Sequence, residues 1–399
     1  MDTIEVVKKN ECCGCGSCVQ KCPKQAISMV ENEEGFLYPQ INKEKCVDCG
    51  LCSKVCPQLK TVKKVNKNIQ KVYAVYNKNR DTQAKSSSGG IFTELAMYVL
   101  ENNGIVYGAA YDKNFKVNHI EIVKKEDINQ LRKSKYIQSN INNSYKDVEK
   151  NLKENKLILF SGTPCQISGL KNFLIKEYEN LITCDIVCHG VPSQKAFKQY
   201  LKHFEDKLDE KVIDYDFRSK DIKGYEKLGK LVTRSGKVKY LKIGLDCYYN
   251  NFLEGNIFRE SCYNCHYSDM NRVGDITIGD YIGVLEVQPD AYSSEGTSIC
   301  IINSNNGMKV FNEIKDKFNI FETTEEKIKK YNSNLNQPKK RPVCRDYVYK
   351  NIDDEKQFVN DLRKFMNKKS KIKSLIPNKL KLAIKKLKRR LKWLEYYIQ

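Results

Sequence analysis

Residues 12–57 constrain this chain more than any other stretch. They read Cys12-x2-Cys15-x2-Cys18-x3-Cys22-Pro23 and then Cys46-x2-Cys49-x2-Cys52-x3-Cys56-Pro57, so each cysteine of the first run recurs 34 positions later. The two-residue spacing wraps a short loop around a common centre, where three thiolates converge and backbone N–H groups can point at the sulfurs. Each proline ends its loop and has no N–H with which to compete as a donor. Disulfides are the weaker explanation: they belong to oxidising compartments, and Met1-Asp2-Thr3-Ile4-Glu5 lacks the charged-then-apolar layout of an export signal.

Zinc would need four ligands in two pairs. Here each run supplies three evenly spaced cysteines, a fourth and a proline, twice over. That spacing matches two-cluster ferredoxins, in which three thiolates of a run hold one [4Fe-4S] cube and the fourth reaches across to the other. Cys12, Cys15, Cys18 and Cys56 are therefore expected on one cluster, and Cys46, Cys49, Cys52 and Cys22 on the second. Cys13 lies outside the frame and reads as a spectator.

At 399 residues the chain is too long for a ferredoxin alone, and the remainder can bury one large core or two smaller ones. No run of 18 apolar residues is present, so no membrane-spanning helix is expected and the cell interior is the expected location. The net charge is +21, but residues 366–399 hold ten Lys and two Arg against one Glu, more than half of it. Nucleic-acid binding by the body of the protein loses its support on that ground.

The order of segments suggests a domain over 1–60, a polar linker over 61–71, a large second domain over 72–365 and a basic tail over 366–399. The second domain opens with strand-like Val72–Tyr76. The loop Lys85-Ser86-Ser87-Ser88-Gly89-Gly90 follows, then a helical period through Phe92, Leu95, Ala96, Val99 and Leu100 and a strand from Ile105. The loop falls where an anion would meet a helix N-terminus, although a Ser-capped helix with a Gly turn reads equally well.

Leu157–Phe160 is a continuous apolar run, as in a parallel strand buried on both faces. After it, Thr163 is placed as a helix N-cap with Pro164 at the first helical position. Cys165 then sits in the first turn, where the helix dipole favours a thiolate. The next strand, Leu181–Val187, ends at Cys188-His189-Gly190, and Ser193 caps another helix.

Cys165 and Cys188 thus follow the carboxyl ends of two strands. If those are parallel, both thiols lie on one rim of a sheet, where α/β proteins carry their sites. Cys262-x2-Cys265 could close a four-thiolate site with them; otherwise Cys165 and Cys188 are buried small hydrophobes and the pair belongs to zinc. Asp275–Gly283 alternates into a strand that brings two carboxylates, Asp275 and Asp280, to a Gly-flanked turn, for a ligand, a basic neighbour or an Asx-turn. His189 and His266 each follow a candidate ligand and are proton relays or backbone hydrogen-bonders. Cys184, Cys247, Cys300 and Cys344 show no ligand spacing, and Ile299–Ile302 with the helical Asn306–Phe318 adds a further layer.

In the tail, Leu380, Ile384, Leu387, Leu391, Leu394 and Ile398 share one helical face among Lys381, Lys385, Lys388, Arg389 and Lys392, with Trp393, Tyr396 and Tyr397 near the end. An anionic membrane surface, a partner helix and a solvated tail are all open readings.

Lys85–Gly90, Lys133-Ser-Lys-Tyr136, Phe160–Gln166, Asp185–Ser193, Arg259–Cys265 and Gly274–Gly283 occur in one order over roughly residues 72–285. On these motifs the chain resembles the beta subunit of coenzyme F420 hydrogenase/dehydrogenase, preceded by a two-cluster ferredoxin domain. The fold so implied is an α+β ferredoxin-like N-terminal domain, an α/β flavoprotein domain and a C-terminal basic amphipathic helix. The resemblance implies an FAD-containing iron–sulfur oxidoreductase that passes electrons between clusters and flavin. The flavin of such proteins exchanges hydride with an organic substrate, F420 or chlorophyll derivatives in some relatives and unassigned substrates alongside cell-surface polysaccharide functions in others.

The same resemblance implies a third [4Fe-4S] cluster on Cys165, Cys188, Cys262 and Cys265, and FAD contacts from Ser86, Ser87, Ser88, Gly89, Gly90 and Lys135. A redox partner protein or low-potential donor would feed the clusters. The alternative is a non-catalytic electron carrier or adaptor that docks a partner enzyme. Flavin content discriminates the two, and a nucleic-acid-binding iron–sulfur protein would instead lose affinity steeply with salt.

Overall fold

A computed structural model of the chain describes residues 3–60, 70–222 and 228–375. The repeat in the cysteine runs is a repeat in structure: helices Ser17–Lys21 and Leu51–Lys54 begin 34 positions apart. Each is entered through a glycine in the left-handed region, Gly16 at φ 76° and Gly50 at φ 69°, a conformation a Cβ would strain. Between them β1 (Ile27–Glu31) and β2 (Leu37–Ile41) form a two-stranded antiparallel ladder.

The chain continues through β3 (Lys71–Asn77), β4 (Ile105–Tyr111), β5 (Val117–Ile122), β6 (Ile158–Gly162) and β7 (Leu181–Ile186). Then come β8 (Val212–Ser219), β9 (Leu228–Thr233), β10 (Val238–Lys242), β11 (Ile276–Asp280), β12 (Ser298–Ile302) and β13 (Phe318–Glu322). Eight of these make one sheet in the order β13-β3-β12-β11-β7-β6-β4-β5. Its centre, β11-β7-β6-β4, is parallel, and both flanks are antiparallel. The sheet is thus mixed α/β rather than wholly parallel.

β6 shows why the apolar run is continuous. Leu159 packs with Ile91, Leu95 and Val99 of helix Ile91–Glu101 on one face. Ile158 and Phe160 pack on the other face with Tyr145 and Val148 of helix Ser144–Lys153 and with Ile167, Leu170 and Phe173 of helix Pro164–Leu174. A fully buried side chain of this size contributes about 1.5–3 kcal/mol, so both faces stabilise the strand.

The sequence reading did not foresee the separate antiparallel sheet, ordered β10-β9-β8. Its core is aromatic, with Phe197, Tyr200, Tyr215, Phe217, Tyr248 and Tyr249 in one buried cluster. Tyrosines carry a polar tip, so their segments read as polar while their rings bury like hydrocarbon. The helical layer expected over Asn306–Phe318 is helix Asn305–Ile314 and a short turn, and Phe318 already begins β13.

Inside the aromatic cluster Asp246 caps helix Cys247–Glu254, accepting from Tyr249 N at 3.0 Å and Tyr215 OH at 3.2 Å. Burial pushes its carboxyl up to about 6. The folded state then holds this proton more tightly than the unfolded chain. Stability from it is full below pH about 4 and is lost as pH rises past 6, by at most about 3 kcal/mol. Asp246→Asn keeps the cap acceptor, so it is expected to gain about 1–3 kcal/mol on the wild type between pH 4 and pH 7. Urea unfolding at both pH values checks this.

Among the described residues no helix is long and apolar enough to cross a membrane. The amphipathic face from Leu380 to Ile398 lies outside the described residues, as does linker segment 61–69.

Candidate functional site

The N-terminal cysteines sort into two cavities. Cys12, Cys15, Cys18 and Cys56 line one with Ile4, Val7 and Met29. Cys22, Cys46, Cys49 and Cys52 line the other with Ile27, Ile41 and Leu51. The last cysteine of each run therefore stands with the first three of the other. Burial pushes the Cys18 thiol up, and neighbouring Cys12 and Cys56 add to it; burial also pushes Cys56 up to about 11. Such thiols hold their protons until a cation arrives.

Among the described residues no three His, Cys, Asp or Glu close on a single metal ion. Zinc gathers four ligands around one centre, whereas a cube gives each thiolate its own iron and keeps the ligands apart. Four thiols spaced around an apolar hollow fit the cube.

The second group sits on the sheet rim. β6 and β7 are adjacent and parallel, so Cys165 and Cys188 leave the same edge. Cys262 lies in the turn Glu260–Asn264, with Cys265 at its end. Burial pushes Cys188 up to about 12, with Cys265 the next contributor. Burial also raises Cys262, with Cys188 and Cys265 adding to it, and Cys165 in turn feels Cys188. Cys188, Cys262 and Cys265 are thus electrostatic neighbours of one another, and Cys165 is a neighbour of Cys188.

Helix Pro164–Leu174 starts as expected, with Thr163 as N-cap, Pro164 first, and Gln166 completing a capping box. The thiolate expected at Cys165 is not favoured. The neighbouring Cys13 thiol, and then burial, push the thiol well above its ordinary value. Cys13 is buried and lines the cavity of Cys12, Cys15, Cys18 and Cys56, and the neighbouring Cys15 and Cys165 thiols hold it well below its ordinary range.

The N-terminal unit is seated on the body by side chains. Ser17 Oγ donates to Gly169 O at 2.7 Å, and Lys21 Nζ to Phe173 O at 2.8 Å. Gln20 Oε1 accepts from Tyr145 N at 3.0 Å and Lys146 N at 3.2 Å, capping another helix. A Cβ at Gly169 would stand 3.0 Å from Cys15 Sγ and 2.9 Å from Ser17 Oγ. Gly169→Ala is therefore expected to cost about 1–3 kcal/mol and to reduce bound iron, as thermal unfolding and iron assay would register.

A cavity of about 380 Å³ lies above the carboxyl ends of the parallel strands, a normal size for a cofactor site. Its lining includes Ser86, Ser87, Ser88 and Gly90 as well as Cys165 and Cys188. Tyr136, Tyr249 and Phe252 supply an aromatic wall, with the Tyr136 and Phe252 ring centroids 4.3 Å apart. Gly89 is not in the wall: its N–H donates to Ser298 Oγ at 2.9 Å, and a Cβ there would lie 2.4 Å from Val75 O.

Two of the three serine hydroxyls are committed as donors, Ser86 Oγ to Thr82 O and Ser88 Oγ to Thr297 O, while Ser87 Oγ accepts from Ser134 N at 2.8 Å. The serines do not cap the helix. Gly90, at φ 92°, is the N-cap of helix Ile91–Glu101, which has no side-chain cap. Its first residues, Ile91, Phe92 and Thr93, line the cavity, so an uncapped helix N-terminus faces the space where an anion is stabilised. Lys135 also lines it, donating to Gln130 O at 2.8 Å and Arg132 O at 2.7 Å. Burial pushes its ammonium down to about 7.

The sequence reading missed Arg218. Its Nη1 meets Asp280 Oδ2 at 2.8 Å and Tyr136 OH at 3.1 Å, and its Nη2 donates to Ser87 O at 2.9 Å. One guanidinium thus ties three walls together; the signal was an arginine inside the strand pattern Tyr215–Ser219. Asp280 has the basic neighbour anticipated for it. Asp275 is at the other end of β11, accepting from Thr183 N at 2.8 Å and Ser304 Oγ at 2.6 Å, so the two carboxylates do not share a turn. His189 lines the cavity and its Nε2 donates to Leu253 O at 2.9 Å.

Comparison with known proteins supplies the family. Residues 11–59 match the 4Fe-4S dicluster domain. Residues 72–146 match the N-terminal part, and 155–328 the C-terminal part, of the coenzyme F420 hydrogenase/dehydrogenase beta subunit. A search of curated proteins finds no match. Among solved structures, a chain of the xenon-derivatised F420-reducing [NiFe] hydrogenase complex from Methanosarcina barkeri is similar at 16% identity and a TM-score of 0.44, over 75% of this chain and 91% of that one. With both parts of one family matched in order behind a dicluster domain, the chain belongs to the coenzyme F420 hydrogenase/dehydrogenase beta subunit family.

Proposed function

We propose that this chain is an iron–sulfur flavoprotein oxidoreductase. Three [4Fe-4S] clusters would be held by the Cys12, Cys15, Cys18, Cys56 set, the Cys22, Cys46, Cys49, Cys52 set and the Cys165, Cys188, Cys262, Cys265 set. FAD would occupy the cavity. The observation that carries the reading is that cavity itself, whose lining holds both an uncapped helix N-terminus and two candidate cluster thiols.

When bound, flavin supplies the exchange between single electrons and hydride. The residues around it divide the remaining work. The N–H groups at Gly90–Phe92 and the Lys135 ammonium suit phosphate oxygens. Tyr136, Tyr249 and Phe252 suit a flat apolar ring and exclude water from it. Arg218, paired with Asp280, holds the Ser87 and Tyr136 walls at a set separation. Cys49 is exposed, which marks its set as the point where a redox partner protein delivers electrons. The organic hydride partner belongs to the F420-like or polysaccharide-pathway classes anticipated from the sequence.

Anaerobic purification with metal, sulfide and flavin measured per chain tests this. The expected result is about twelve iron atoms and one FAD that dithionite bleaches. Iron without flavin would favour the electron carrier instead, and a colourless protein holding zinc would end both.

A further inference from the structure

The largest fully buried side chains include three arginines, Arg259, Arg272 and Arg345. Arg272 meets Asp185, and Arg345 meets Glu34 and Glu260. Arg259 has no carboxylate within ion-pair distance among the described residues. Its Nε donates to Cys12 O at 2.7 Å, its Nη1 to Gln138 Oε1 at 3.1 Å and its Nη2 to Leu37 O at 2.9 Å. The guanidinium also lies over the Tyr38 ring, 4.1 Å from its centroid.

All these partners are neutral. Burying a cation without a counter-charge costs more than a cation–π contact returns. The anion it lacks can be located, because Cys12 Sγ lies 3.7 Å from Nη2. A Cβ on Gly14 would stand 2.9 Å from Nη1, so the cysteine loop itself leaves room for this group.

We propose that Arg259 is the counter-ion of the cluster bound by Cys12, Cys15, Cys18 and Cys56, and that it sets the potential of that cluster. The inference rests on the cluster reading above. A cube with four thiolates is a dianion when oxidised and a trianion after taking one electron. A fixed buried cation favours the reduced form, which raises the midpoint potential relative to the outer cluster of Cys22, Cys46, Cys49 and Cys52. An electron from a low-potential protein donor then runs downhill from the set that includes exposed Cys49 to the set of Cys12, Cys15, Cys18 and Cys56. Arg259 is a positioning residue as well. Its N–H donates to Val191 O at 2.9 Å, and its carbonyl accepts from Cys262 N at 2.9 Å. The side chain that neutralises one cluster therefore hangs from the segments that carry the thiols of the next.

The test is an anaerobic reductive titration of the full chain, followed by electron paramagnetic resonance with iron assayed in parallel. Wild type, Arg259→Gln and Arg259→Lys are compared. Arg259→Gln is expected to keep its iron and to move one N-terminal midpoint potential to more negative values while the other stays, and Arg259→Lys to recover most of that shift. Full iron with both potentials unchanged in Arg259→Gln would overturn the proposal. If Arg259→Gln loses iron, Arg259→Lys decides: retained iron at the wild-type potential supports the charge role, and equal loss shows a hydrogen-bonding scaffold and overturns it. Wild-type protein without iron would instead refute the cluster reading itself.

Discussion

Cys165→Ala is expected to stop electron passage from the N-terminal thiols to the cavity while leaving the N-terminal iron signals in place. Cys165 is in the cavity wall and has Cys13 and Cys188 as electrostatic neighbours. Cys13 in turn contacts Cys15. On the proposed reading the variant leaves three thiolates for the inner cluster, so about four iron atoms per chain should be lost. Changes in groups that merely support a metal ligand already cost about 10–100-fold, so loss of a ligand should slow flavin bleaching by more than about 100-fold. Stopped-flow absorbance with reduced donor protein measures the rate. Iron content equal to wild type would sink the inner-cluster assignment. Cys49→Ala is the control, because it should remove electron uptake yet leave flavin and the inner iron intact.

Asp185→Ala is expected to destabilise the fold by about 3–5 kcal/mol, because it strands Arg272. The side chains of Asp185 and Arg272 are 0% and 1% exposed. Asp185 accepts from Arg272 Nη2 at 3.3 Å, from Thr277 Oγ1, and from the N–H groups of Val273 and Gly274. Arg272 also donates to Ile186 O at 2.9 Å and Tyr267 O at 2.7 Å. These bonds clamp the segment before Cys188 against the segment after Cys265, so the variant should hold less inner iron as well. Urea unfolding gives the stability change. Asp185→Leu combined with Arg272→Met should recover much of it, since a buried pair replaced as a unit leaves no stranded charge. A single variant as stable as wild type would show that water reaches the pair.

Much of the site was legible from local spacing. The division of eight cysteines into two crossed sets follows from loops of two and three residues, and the structure gathers the same sets around two cavities. Leu157–Phe160 read as a strand covered on both faces, because only that environment tolerates an unbroken apolar run. The Thr163 cap and Pro164 start read correctly because capping depends on a few neighbouring residues.

Other expectations failed where the deciding partner lay far along the chain. Cys13 falls outside the ligand spacing, and its neighbour Cys165 is 152 positions away. The serine loop read equally well as a helix cap, yet Ser88 donates to Thr297, 209 positions on, and Gly90 takes the N-cap. Cys165 looked like a helix-end thiolate, yet burial and a neighbouring thiol reversed the direction.

The sequence alone therefore determined the dicluster chemistry of the N-terminal cysteines, the strands that bury both faces and the family, because ligand spacing, hydrophobic period and capping act over a few residues. Only the tertiary structure decided which buried charges are paired. Arg218, Arg272 and Arg345 find carboxylates, and Arg259 finds sulfur. The physical reason is that the cost of a buried charge depends on what stands within a few ångströms of it, and that is set by the packing of distant segments.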